Sequence, residues 1–328
     1  MADQRNQVNI PANLVPKVWA KKVWHEGVKD SYFDKFTAMD GSNVVHQNKD
    51  LTNVKGDSVV FGLMMNLTGS GVEGNRQKLS GAEDTLNIYD FTVQTQLVRN
   101  AVSRFEADDQ KTQYDMLKEI KGALKQWLSD WLDNKLISKL SATPTSNDEA
   151  VYASAAGTQA SITANDKLTT TIISRAKRKA MMHTPKVQPI KVDGMDKYIM
   201  LISPWAARDL KDDPKWLAAQ QNANVRGSKN PIFTGALGEY DGVILYEYER
   251  VANTAAGASS ANVCHNLLLG KQAACFAVAR PAKHIEQTDD YGNIAGNGIA
   301  FYGAVENTRF NSKDYGFIHV LTGGAVER

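Results

Sequence analysis

LTGSGVEGN, residues 67–75, carries Gly69, Gly71 and Gly74 in a GxGxxG spacing. Two structures fit that spacing. In dinucleotide-binding enzymes such glycines turn a strand sharply into a helix whose exposed N–H groups hold a pyrophosphate. In a β-hairpin they permit positive φ and close approach of two chains. The flanks decide between the two. Upstream, GDSVVFGLMMNL (56–67) is rich in β-formers; downstream, NRQKLSGAED (75–84) adds Gly81 and lacks the apolar stripe of a helix. YDFTVQTQLV (89–98) then alternates Tyr89, Phe91, Val93, Thr95 and Leu97 with polar residues, a strand pattern. With no helix and no βαβ unit after Gly74, the stretch predicts a hairpin connected by residues 68–84. So long a connection without apolar periodicity is uncommon unless it works outside its own core.

The 328 residues are 42% hydrophobic, enough to bury one large or two moderate cores. Lys and Arg number 38 against 36 Asp and Glu, a formal charge of +2. That balance gives no support for a dedicated nucleic-acid or membrane-surface binder. Cys264 and Cys275 are too few for a disulfide framework and are expected in the core of a protein kept in a reducing compartment. The opening MADQRNQVNIPANLVPK lacks the apolar run of a signal peptide, and no run of about 18 apolar residues is present to span a bilayer. A soluble protein without a membrane partner is expected.

Pro11 and Pro16 favour an extended arm over residues 1–16. Trp19, Val23, Val28, Tyr32 and Phe36 then recur at helical spacing. The longest regular element is expected at 108–140, where Leu117, Ile120, Leu124, Trp127, Leu128, Trp131, Leu132, Leu136 and Leu140 form an apolar stripe. Early Asp108, Asp109 and Asp115 and late Lys135 and Lys139 complement its dipole. At about 1.5 Å per residue this helix would reach roughly 50 Å, a spine rather than an ordinary domain helix. Residues 145–165 read as a loop, and Asp166 as the cap of a helix running to about Met182. KYIMLISP (197–204) reads as a buried strand ended by Pro204. A helical region, 205–223, is interrupted at Asp212-Asp213-Pro214. VILYEY (243–248), NLLLG (266–270), IAFYGAVENTRF (299–310) and YGFIHVL (315–321) are further strands, with VANTAAGASSAN (251–262) a loop. No fixed-period repeat is present, so a solenoid is excluded.

No catalytic, cofactor or metal constellation emerges. Gly270-Lys271-Gln272 lacks the remaining residues of a P-loop, and no GxSxG occurs. Cys264 and His265 adjoin in sequence with no implied geometry. His25, His46, His183, His265, His284 and His319 never stand at i, i+4 spacing and never accompany a CxxC. EQTDDYGN (286–293) lacks the calcium loop pattern and reads as a turn. RAKRK (175–179) reads as a solvated helix face, with a phosphate or subunit contact as the alternative.

An extended arm, a protruding hairpin and an overlong helix each present surface that one domain is too small to cover. Neighbouring copies could cover it through repeated heterologous contacts. The residues that build these elements resemble the major capsid proteins of tailed bacteriophages with the Hong Kong 97-like fold, in the branch typified by the coliphage N-four capsid protein. VWHEGVKDSYFDKF (23–36), GDSVVFGLMMNLTGSGVEGN (56–75), LSGAEDTLNIYDFTVQ (79–94) and the region 109–133 carry the resemblance. It covers roughly the first 140 residues; beyond Ala142 only the order of elements matches.

The resemblance implies an α+β capsid fold. Residues 1–50 would form an N-terminal arm, 51–103 an extended loop, 104–165 a peripheral domain with the spine helix, 166–280 an axial domain, and 281–328 strands returning to the peripheral domain. It implies self-assembly into hexamers and pentamers of an icosahedral head shell around packaged DNA, in a virion assembled in the host cytoplasm. The portal and scaffold or cementing proteins would be partners, and neither catalysis nor cofactor is required. Gly69, Gly71, Gly74, Arg76 and Lys78 would lie at the loop tip against a neighbouring subunit, and Leu117, Leu124, Trp127 and Trp131 would pack the spine. No Lys–Asn pair is singled out for a covalent cross-link, and any scaffold is expected to be a separate protein. The rivals are a cellular nanocompartment shell of the same fold, a nucleotide-binding oxidoreductase resting on the three glycines, and a DNA-binding protein resting on RAKRK.

Overall fold

The computed structural model describes residues 31–49, 56–65, 67, 69, 71–74, 80, 83–107, 116–144, 146–192, 194–222 and 237–324. Residues 1–30 of the expected arm, Arg76, Lys78 and residues 108–115 at the expected spine start lie outside them.

The chain enters at a 3-10 helix, Tyr32–Phe36, where the sequence pattern predicted α-helix. Ser31 is extended, its Oγ accepts from the Phe33 N–H, and both its hydroxyl and the Tyr32 N–H donate to Asp133. Strands β1 (Thr37–Ala38) and β2 (Val45–Asn48) follow, then β3 (Ser58–Met64) and β4 (Ile88–Gln94). Residues 89–98, expected as one strand, divide at Thr95: β4 ends there and β5 (Gln96–Phe105) begins. Buried Thr95 donates its N–H and hydroxyl to the Asp57 carbonyl, both at 2.8 Å, and the chain passes from one sheet to another.

The spine is α1, described over Met116–Leu140. Its buried stripe of Ile120, Leu124, Leu128, Leu132, Leu136 and Leu140 steps four residues at a time, one helix face. Residues 145–165 are not only loop. They contain a 3-10 turn, Asn147–Glu149, held by a reciprocal Ser146–Glu149 capping box, and a strand, β6 (Ala150–Tyr152). Helix α2 covers Thr170–Met182. Asp166 does not cap it; that carboxylate accepts from Thr163, whereas Asp213 accepts from the Thr170 N–H at 2.8 Å and hydroxyl at 2.9 Å. The cap comes from 43 residues away, and no local reading could supply it.

Next come β7 (Ile190–Val192), β8 (Met195–Ile202), α3 (Pro204–Lys211) and α4 (Pro214–Asn222). Ser203 caps α3 and Pro204 occupies its first turn, so the proline that ends the strand also starts the helix. The remaining strands are β9 (Gly238–Tyr240), β10 (Val243–Glu247), β11 (Asn253–Thr254), β12 (Val263–Leu269), β13 (Ala274–Asp289), β14 (Ile294–Asn307), β15 (Arg309–Phe310), β16 (Lys313–Asp314) and β17 (Phe317–Gly323).

Two sheets organise the described residues. One has the order β1-β2-β13-β14-β5; the other runs β6-β17-β12-β8-β10-β9, with β7 paired to β8 and β11 to β12. The boundary expected at residue 281 falls inside β13, at a register break that accommodates Pro281, which has no N–H to donate. β17, the last of the strands after residue 281, lies in the second sheet between β12 and β6.

Strand alternation couples the two cores. Ile199, Leu201, Leu267 and Leu269 face the core shared with α1, while Tyr198, Met200, Ile202, Cys264 and Leu268 face the core under α2 and α3. A strand buried on both faces reads as a near-continuous apolar run, and β12 is buried throughout, with His265 and Asn266 as its polar members. The alternation also sends Cys264 and His265 to opposite faces, which leaves no thiol–imidazole pair. Both cysteines are free and buried; burial foremost pushes the Cys275 thiol up to about 12.

Candidate assembly surface

The two-stranded hairpin pairs Val59 with Val93, Phe61 with Phe91 and Leu63 with Tyr89 on one face. Val60, Gly62 and Met64, opposite Thr92, Asp90 and Ile88, line the other. Only the base is anchored. Val59 and Val93 are buried against Cys275 and Ala277 of the first sheet, and Phe61 and Phe91 make edge contacts with His46 and Phe310. Further out, Val60, Met64 and Ile88 are 62%, 64% and 62% exposed. Leu67 and Leu86 continue the apolar strip toward the tip. A lone two-stranded hairpin is marginally stable in water.

At the tip, Gly71 and Gly74 take φ of +68° and +86°, values that strain other residues. The Gly69 N–H donates to the Asp84 carboxylate at 2.6 Å, tying the two limbs together. β3 and β4 are antiparallel neighbours, whereas a dinucleotide site needs a parallel βαβ unit. The glycine spacing therefore belongs to a hairpin.

A second feature lies on the first sheet. Gly296, Gly298 and Ala300 alternate along β14, between Ser103, Ala101 and Arg99 of β5 and Gln287, Ile285 and Lys283 of β13. With almost no side chain on the central strand, the face is a trough of about 610 Å³, walled by Arg99 and Ala101 on one side and by Ile285 and Gln287 on the other. β5 ends the sheet path, so among the described residues one backbone edge of its ten residues has no strand partner.

The residues expected to pack the spine behave unequally. Leu124 is 1% exposed, Leu117 is half-buried, and Trp127 and Trp131 pack at the margin of the core, Trp131 edge-on to Phe301 at 6.3 Å.

Sequence reading missed a clasp at the junction of helix, entry segment and second sheet. Tyr32 stacks on Tyr248 with ring centres 4.1 Å apart. The Lys35 ammonium stands 4.0 Å from the Tyr32 centroid, 4.4 Å from that of Tyr246 and 4.8 Å from that of Phe36. Arg250 Nη2 donates to Asp130 at 2.5 Å, which foremost holds that carboxyl below its usual range. The clasp joins distant segments, Arg250 and Asp130 lying 120 positions apart and Tyr32 and Tyr248 further still, beyond any local pattern. The trough had a local signal, the alternation of small residues in GNGIA (296–300).

Among the described residues no cluster of three or more His, Cys, Asp or Glu side chains could hold a metal ion, and no helix is long and apolar enough to cross a membrane.

A family model described as a phage capsid protein matches residues 12–325. The major capsid protein of Pseudomonas phage KPP25 is 26% identical, over 92% of this chain and 93% of that protein. Among solved structures, the capsid of Ralstonia phage GP4 is similar with a TM-score of 0.79 and 26% identity, covering 92% of this chain and 93% of its own. The cyanophage Pam1 capsid asymmetric unit is similar with a TM-score of 0.80 and 23% identity, over 92% and 94% of the respective chains.

Proposed function

The chain belongs to the phage capsid protein family and has the Hong Kong 97-like fold, and from that premise we propose how its surfaces build a head shell. Copies associate as hexamers and pentamers, and the apolar strip of each hairpin is covered by a neighbouring copy. The tip glycines Gly69, Gly71 and Gly74 then lie against that neighbour. The trough on the first sheet receives an extended segment from an adjacent subunit, and the open β5 edge offers it backbone partners.

The observation that carries this reading is the strip of Val60, Met64 and Ile88, left bare by its own molecule. Fully covering such a side chain is worth about 1.5–3 kcal/mol, a gain repeated at every copy of a closed lattice. The shell encloses DNA without reading its sequence. The chain performs no catalysis and holds no cofactor. It is a virion component assembled in the host cytoplasm, with the portal and scaffold or cementing proteins as partners.

Electron microscopy and sedimentation of the purified chain test the reading. Shells, hexamers or polymeric sheets are expected, and the Met64→Glu/Ile88→Glu variant is expected to stay folded and unassembled. An inert monomer at high concentration, or undiminished assembly of the double variant, would refute it.

A further inference from the structure

The basic run RAKRK does not behave as one solvated face. Lys177 turns away to pair with Asp241 at 2.8 Å. Arg175, Arg178, Lys179 and Met182, at i, i+3, i+4 and i+7 on α2, line a pocket of about 590 Å³. Its opposite wall is the 3-10 turn after Ser146, strand β6 and residues 154–157. Lys179 ties the walls together by donating to the Asn147 carbonyl at 2.6 Å and the Ala150 carbonyl at 2.7 Å. Arg175 and Arg178 are exposed and enter no ion pair among the described residues.

We propose that this pocket binds an acidic polypeptide segment of a partner protein, with Arg175 and Arg178 as the charge-reading residues. Three cations face a single carboxylate, Asp148, so the pocket is complementary to a partner's negative charge. Guanidinium groups match carboxylates through two parallel hydrogen bonds. Tyr152 and the 76%-exposed Met182 add apolar wall, which suits acidic residues interspersed with aliphatic ones. A DNA duplex is too broad to enter a pocket of this volume and would meet only its rim. The pocket is fully formed in a single copy, so the proposal does not depend on how the shell closes.

The test is fluorescence anisotropy of the full chain with a short labelled peptide of repeating Glu-Glu-Leu, alongside a Gln-Gln-Leu peptide and a labelled DNA duplex. The acidic peptide is expected to bind, to weaken about tenfold or more in Arg175→Glu/Arg178→Glu, and to change little in Lys191→Ala, which removes an exposed charge elsewhere. Because both arginines are exposed, the variant is expected to keep the parent circular dichroism. Absence of binding, equal binding of the Gln peptide, an unchanged double variant, or displacement of the peptide by duplex through the same arginines would each overturn the proposal.

Discussion

Asp84 holds the hairpin tip closed by accepting the Gly69 N–H at 2.6 Å, across fifteen residues of sequence. A side chain at position 69 would place its Cβ 2.9 Å from that same carboxylate oxygen. The glycine that most resembles a cofactor residue thus leaves room for a latch between two limbs of one loop.

Asp84→Ala removes that latch. Because the bond is exposed, its loss should cost about 1 kcal/mol of local stability and leave global melting nearly unchanged. Hydrogen exchange should show the Gly69 amide opening several-fold faster. An unaltered exchange rate would mean that the tip is held by something else.

Gly298→Leu should fill the trough without disturbing the strand. Its Cβ would meet the Ala101 Cβ at 3.4 Å, ordinary contact, and no positive φ forbids a side chain there. The variant is expected to keep its melting temperature within a few degrees and to lose shell formation. Normal shells would show that no neighbour occupies the trough.

Lys35→Met keeps the aliphatic stem and removes the charge from among Tyr32, Tyr246 and Phe36. An exposed cation–aromatic contact is worth about 0.5–1 kcal/mol, and urea unfolding should register a loss of that order. Burial lowers the Lys35 pKa, which records an opposing desolvation cost. Unchanged or raised stability in the variant would show that this cost outweighs the attraction.

Acid should weaken the unassembled chain through His265. Burial foremost, then the neighbouring His319, lowers its pKa from 6.5 to about 4. Between those values the unfolded chain binds the proton and the folded chain does not, so stability falls as pH drops through that window and levels off below about 4. The ceiling of the effect is roughly 3 kcal/mol. His284, lowered chiefly by burial, acts with the same sign. Urea unfolding at about pH 7 and about pH 4.5 should show a smaller difference for His265→Gln than for the parent; an equal difference would clear His265 of the role.

Local chemistry made much of this architecture legible. Four-residue steps from Ile120 to Leu140 announce a helix with one buried face, and Ser203-Pro204 marks the change from strand to helix in a single dipeptide. Glycines followed by no helical stripe argued against the nucleotide reading, and the antiparallel pairing of β3 with β4 then removed it. β6 escaped notice because its three residues form a strand only by pairing with β17, far along the chain. The break at Thr95 was hidden because alternation continues through it while the hydrogen-bonding partner changes.

From its amino-acid order alone, the chain dictated the spine helix, the longer strands and that a long loop carries no core of its own, because side-chain periodicity and glycine backbone freedom are local properties. The folded arrangement alone decided that Asp213 caps a helix 43 residues away, that Lys35 sits among three rings, and that RAKRK divides between an ion pair and a pocket. Those outcomes depend on which distant segments the two shared cores bring together, and contacts of that range leave no periodic trace in the chain.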